Sequence, residues 1–313
     1  MRLGSILLAL MLLLAAPLRA QDSTSTFGPA GDHLHQPASK NVDMITPHIT
    51  DSHHLELPFV GEYELPRWKP IHVGGVELDM SPTKHVVFLL LAAALCIGIM
   101  IPAAASNQRQ TAHEGHAKGF AGAIESVVLY IRNEVILPNV GPHGNAYVPF
   151  GLTLFFFILF ANLLGLLPYG STATGNISVT ATLALITFVV VETAGVKAQG
   201  VGYIKTIVYW PSDQPLAMKL PMTLLMTPIE IIGKLTKPFA LAIRLFANMT
   251  AGHVVLLALI SLIFTFGSWF IAPAPVVMGV AISMLEIFVA FLQAFIFTLL
   301  ASVFIGLIRE GAH

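Results

Sequence analysis

Two apolar stretches in the C-terminal third constrain this chain more than anything else in it. Met222–Ile263 and Val276–Ile308 read as uninterrupted helix, and at 1.5 Å per residue they reach about 63 Å and about 50 Å. A hydrocarbon layer about 30 Å thick holds neither upright. Both must tilt strongly, bend, or run partly in the membrane plane, with Pro228 and Pro238 as the expected bends. Three shorter runs, Val86–Ala105, Tyr147–Leu167 and Ile177–Val191, are of ordinary spanning length. Backbone in lipid must satisfy its own hydrogen bonds, so each run is read as a helix. The predicted fold is an all-α integral membrane protein of about five membrane helices, the last two long and strongly tilted. Composition agrees: 55% of residues are hydrophobic and 11% charged, against about 25% charged in soluble domains.

The connecting segments have their own signatures. Arg2, the apolar Ile6–Ala16 and the following Pro17-Leu-Arg-Ala20 read as a signal peptide covering residues 1–20. Residues 21–84 form a polar, Pro-rich and His-rich extracytoplasmic segment, read as mobile or loosely folded. His33, His35, His48, His53, His54 and His72 lie in it and His85 at its edge. Their spacing lacks a helical zinc-binding pattern, so they are read as solvated side chains and no metal site is expected. Residues 85–313 form the membrane domain. Within it Gly119–Leu137 is amphipathic, with Phe120, Ile124, Val127, Val128, Ile131 and Val135 at helical spacing, and reads as a helix lying on the membrane surface. Cys96 is the only cysteine, which excludes an intrachain disulfide, and it reads as a buried, inert thiol.

Charge gives the orientation. The segments 107–145 and 192–221 and Arg309 hold the basic residues, while 168–176 and 264–275 hold none. The positive-inside rule puts the former in the cytoplasm. A cleaved signal independently puts residue 21 outside, and five spans then bring the C-terminus inside. The net charge of −1 gives no reason to expect a nucleic-acid partner.

Polar residues inside the long helices carry the functional signal. Arg244 lies far from either end of its run, where a guanidinium costs about 2.5–3.5 kcal/mol on insertion scales and cannot discharge itself. It must face a partner, a water cavity or an ion path. Glu230, Lys237 and Arg244 are spaced by seven and share a stripe that Asn248 continues. His253 is nine beyond Arg244, half a turn off that stripe. Glu286 and Gln293 share a face of the last helix. An imidazole and a carboxylate in an apolar setting can exchange protons. Lys234 and Lys237, near the cytoplasmic end, read as snorkelling lysines; Glu230 fits either an ion path or a helix end. A secondary transporter would need internal repeats, which are not evident, and a His-rich metal receptor would leave Arg244 unexplained.

The stretch from Pro228-Ile-Glu230 through Lys237-Pro238 and Arg244-Leu-Phe-Ala-Asn248-Met to Ala251-Gly252-His253 resembles the signature of subunit a of bacterial F-type ATP synthases. Leu292-Gln293-Ala-Phe-Ile-Phe297, Phe160-Ala-Asn162-Leu-Leu-Gly-Leu-Leu-Pro168 and Gly122-Ala-Ile-Glu125 are further blocks in the family's order, and together they cover about residues 86–310. The resemblance implies a multi-pass subunit of the bacterial inner membrane, with no enzymatic activity of its own and no cofactor. Its partners would be a ring of c-subunits, the b-subunit peripheral stalk and the lipid bilayer. As stator it would form two offset proton half-channels against the ring and couple proton flow to rotation and ATP synthesis. Arg244 would be the cation separating the half-channels. Asn248 and Gln293 would line the site, and His253 and Glu286 would relay protons on the outer side with Asn162. Glu230 would sit toward the cytoplasmic exit. Two departures stand out. The acid and imidazole are exchanged between the two long helices relative to many bacterial relatives, and Gly165 stands where some members carry an acid. The retained His253–Glu286 pair favours protons over sodium as the coupling ion.

Overall fold

A computed structural model describes residues 51–57, 61–68, 71–73, 76–78, 81–114, 119–167, 170–208, 215–266, 270 and 272–310. The expected signal peptide and His33, His35 and His48 lie outside the described residues. Seven α-helices follow two small hairpins: α1 Lys84–Glu114, α2 Gly119–Tyr130, α3 Leu137–Val140, α4 Val148–Gly165, α5 Ile177–Gln199, α6 Leu216–Phe266 and α7 Pro273–Glu310. Five of them, α1, α4, α5, α6 and α7, are long and apolar enough to cross a membrane. The chain is a multi-pass, predominantly helical membrane protein.

The long helices exceed their sequence-based limits. α6 runs 51 residues, about 77 Å of helix, and continues through Pro221, Pro228 and Pro238 rather than stopping at them. α7 runs 38 residues. α5 extends to Gln199, so Glu192 and Lys197 belong to a helix, Lys197 on its exposed surface. A 3₁₀ stretch, Gly200–Thr206, follows it. Likewise α1 continues past Ala105 to Glu114. In each case the hydrophobic run ends before the backbone hydrogen bonding does, because helix propagation costs little once a span has nucleated it.

The core is built on α4, whose Phe150, Leu154, Phe157 and Ile158 are buried. α7 packs against α3, α4, α5 and α6, while α1 lies against α2 and α4. The close approach of α7 to α3 needs Gly306, where a β-carbon would meet the Asn139 carbonyl carbon at 3.1 Å. The surface helix is only partly as expected. Phe120 is 71% exposed, while Ala121 is buried and Val128 packs against the core; at Ile131 the helix widens into a π segment, Ile131–Ile136. Its i→i+5 period keeps Ile131 and Ile136 on one side, and both are buried. The exposed apolar side chains before it, Phe120, Val127 and Leu129, suit a membrane interface.

Among the described residues of the outer segment, four short strands appear. Strands β1 (His54–Leu57) and β2 (Gly61–Glu64) form one antiparallel hairpin, and β3 (Ile71–Val73) and β4 (Val76–Leu78) another. Asp51 ties this region to the bundle. Its carboxylate accepts from the His85 backbone N–H at 3.4 Å and from the Asn176 side-chain amide at 3.3 Å, and the His85 Nδ1 lies 2.8 Å from Oδ1. Asn176 in turn caps α5 by accepting from Ser178 N–H. The starts of α1 and α5 are therefore held at one end of the bundle. At the opposite end Arg309, closing α7, donates to the carbonyls of Val140 and Pro142.

Candidate functional site

Helix α6 presents a polar stripe on an otherwise apolar face. Lys237, Arg244 and Asn248 are exposed, with the small residues Ala240, Ala247 and Ala251 exposed beside them. Among the described residues no carboxylate or carbonyl engages the Arg244 guanidinium. The neighbouring surface of α6 is greasy, with Leu235, Phe239 and Ile243 exposed, while Phe288, Phe291 and Leu292 of α7 line an apolar groove with Tyr130 and Phe155. A permanent cation thus stands on an apolar face with small residues around it. Small residues let another helix come close.

One helical turn on, Asn248 reaches across to α7. Its amide donates to Gln293 Oε1 at 3.0 Å. Gln293 is 2% exposed and its own amide nitrogen has no partner. The same-face readings of Arg244 with Asn248, and of Glu286 with Gln293, therefore meet at this crossing.

Further toward the hairpin end, half a turn round α6 as its spacing requires, His253 leaves the Arg244 stripe and faces inward. Its Nδ1 lies 4.0 Å from Glu286 Oε1, and Nε2 is hydrogen-bonded to the Thr172 hydroxyl. Glu286 is buried, and its second carboxylate oxygen has no partner. Gly252 makes room for it, since a β-carbon there would meet Glu286 Cδ and Cγ at 3.1 Å each. His253, Glu286, Thr172 and Ser283 are the polar members of a cleft of about 560 Å³ between α6, α7 and the loop after α4.

The other expected residues are placed differently. Asn162 is fully buried on α4 and accepts from the Thr174 hydroxyl at 2.6 Å, with its amide nitrogen unpartnered. It sits behind the loop and does not line the cleft. Glu230 is exposed and about four turns along α6 from Arg244. The structure does not bring it to the other site residues. Lys234 does not snorkel. Its ammonium lies 3.7 Å from Glu192 on α5, donates to Tyr203 Oη and Thr206 Oγ1 at 3.1 Å each, and stacks over the Tyr203 ring. The helical extension of α5 and the 3₁₀ stretch after it supply those partners, and neither was visible in the hydropathy pattern. Lys237 lies over the Phe304 ring.

Sequence reasoning missed the loop Ser171–Thr174. All four residues are buried, and the turn Ala173–Gly175 touches α1, α4, α5 and α6. The signal was present as three hydroxyls in five residues of a loop noted only for its lack of charge. Among the described residues no group of three or more His, Cys, Asp or Glu side chains is arranged to hold a metal ion.

Comparison with known proteins places the chain in a family. The family described as ATP synthase A chain matches residues 86–306, the stretch that holds every residue of the stripe and the cleft. ATP synthase subunit a 2 of Chlorobaculum tepidum is 45% identical over 273 residues, covering 86% of this chain and 73% of that protein. ATP synthase subunit a of Chloroherpeton thalassium is 45% identical over 260 residues, covering 83% and 74%. The Anaeromyxobacter dehalogenans protein of the same name is 39% identical over 307 residues, covering 95% and 78%. On the family match and these identities together, the chain belongs to the ATP synthase A chain family.

Proposed function

We propose that this subunit forms two offset proton half-channels against a ring of c-subunits, and that Arg244 keeps them apart. The observation that carries the reading is a permanent, unpaired cation on an exposed apolar face, beside a separate polar cleft that reaches inward from the hairpin end. The cleft, with His253 and Glu286, is the outer half-channel, and the region toward Glu230 is the inner one. Residues 21–84 and the hairpin end lie outside the cytoplasm, and the C-terminus lies within it, following the basic loops. The host membrane is the bacterial inner membrane, and a b-subunit stalk holds the subunit still.

The physical logic follows from the cost of charge in lipid. A ring carboxylate crosses lipid only when neutral. A fixed guanidinium favours the ionised form as the carboxylate passes, so the proton leaves into one half-channel and another is taken from the other. Arg244 also repels a hydronium that would otherwise pass directly between them. Each proton driven by 100 mV supplies about 2.3 kcal/mol, which the ring converts to rotation. Asn248 and Gln293 brace the α6–α7 crossing beside the cation.

Arg244→Ala tests this. ATP-driven proton pumping and ATP synthesis by the complex in membrane vesicles are expected to vanish while the subunit still inserts and assembles. Passive proton leak persists or rises. Arg244→Lys fails as well, since an ammonium can lose its proton when desolvated and lacks the planar fork. Coupled synthesis near the wild-type rate in the alanine variant overturns the reading.

A further inference from the structure

Gly165 closes α4 at the edge of the cleft, with no side chain to fill the space in front of it. The structure shows what fills that space. A β-carbon on Gly165 would collide with the Thr172 hydroxyl and come within 2.8 Å of its Cα. Thr172 is 5% exposed, lines the cleft, and hydrogen-bonds His253 Nε2. Its placement is fixed by the residues that follow it. Thr174 is bonded to the buried Asn162, and Asn176 caps α5 and reaches Asp51. The loop is held by four helices at once.

We propose that Thr172 is a positioning residue of the proton path, holding His253 through Nε2 so that Nδ1 faces Glu286, in the space that glycine at 165 leaves open. This rests on the half-channel reading given above. A hydroxyl both donates and accepts. It donates to Nε2 when the ring proton is on Nδ1, and accepts when the proton is on Nε2. As Nδ1–H passes to Glu286, Nε2 takes up a proton that reaches the cleft as hydronium, which leaves as water, and the hydroxyl turns from donor to acceptor. One proton enters at Nε2 and one leaves at Nδ1. The imidazole ends as the other neutral tautomer and Thr172 is unchanged. A Thr methyl and backbone alone could pack the loop, but only the hydroxyl serves both ring states.

The test measures passive proton conduction and ATP-driven pumping in the full reconstituted complex, with assembly checked for each variant. Thr172→Val keeps the shape and removes the hydroxyl. It is expected to lower conduction roughly fivefold, the scale of one lost hydrogen bond. Thr172→Ser restores the hydroxyl and is expected to conduct near the wild-type rate. In a His253→Ala background Thr172→Val is expected to cause no further loss, because the two act as a unit. Wild-type conduction in Thr172→Val, a Ser variant as slow as Val, or an additive loss in the double variant each overturns the proposal. Wild-type conduction in His253→Ala would instead remove the proton path itself, and Thr172's role with it.

Discussion

Glu286 sits where charge is expensive. It is buried, one oxygen is without a partner, and the nearest basic group, His253, is 4.0 Å away. A carboxylate there avoids the cost of an isolated buried charge by sharing or exchanging a proton. His253→Ala and Glu286→Ala should each slow proton flux, by up to about a hundredfold if both act in general acid–base transfer. The double variant should be little worse than either single one, since residues acting together are not additive. Reversing the pair as His253→Glu with Glu286→His should recover more flux than either half alone. Flux measurements on vesicles decide this, and wild-type rates in both alanine variants would leave only a buried contact between helices. Gly252→Ala should also impair flux without blocking assembly, because overpacking of about 1–3 kcal/mol must be relieved by moving Glu286. A Gly252→Ala complex conducting at the wild-type rate would show that the carboxylate need not stay where it is.

Two clusters tie elements together outside the proton path. At one end Asp51 joins the hairpin region to α1 and α5. Burial opposes ionisation of its carboxyl, but hydrogen bonding and the charge interaction with His85, helped by Thr83, outweigh it and hold the group below its ordinary value. A depressed carboxyl stabilises the folded arrangement fully above the unfolded value and loses that contribution as pH falls through the lower, folded one. The hairpins should therefore stay docked at neutral pH and loosen only in strong acid, below the ordinary carboxylate value. Asp51→Asn should loosen them already at neutral pH. Hydrogen exchange across residues 51–83 reads this, and unchanged protection in the variant would refute it. At the other end Lys234 and Glu192 are 15% and 22% exposed in their side chains. Removing one partner strands a partly buried charge, so Glu192→Gln alone should lower the amount of subunit in the membrane. Adding Lys234→Met should restore it, as read by quantitative immunoblotting.

The molecule as a whole has two unlike sides. α4 and the inner faces of α5 and α7 form a packed core, while much of α6 is exposed and apolar. Lipid covers most of such a surface, but the narrow strip of Ala240, Ala247 and Ala251 around Arg244 suits a helix passing closely. Ala247→Phe or Ala251→Leu should therefore depress ATP-driven pumping while insertion is unaffected. The same enlargement at Phe288→Trp, on the apolar face of α7, should be tolerated. Equal pumping losses at both places would argue against a strip reserved for a moving partner.

How much of this was legible beforehand depends on whether the signal is local. Hydropathy marks where lipid must be, so the five spans, the oversize of α6 and α7 and the anomaly of Arg244 could be read directly. Helical periodicity put Asn248 on the Arg244 face and His253 off it, and the structure agrees. Helix ends were misjudged because the apolar run stops before backbone hydrogen bonding does, as at Gln199 and Glu114. Contacts between distant segments leave no trace in spacing. That Lys234 would find Glu192 and Tyr203, that Asp51 would reach both His85 and Asn176, and that Thr172 would close on His253 are settled by how helices cross and where loops fold back. The sequence by itself determined a membrane protein with a trapped cation. Only tertiary packing chose which side chains face one another across the cleft, because such placement is set to fractions of an ångström by the backbone of several elements at once.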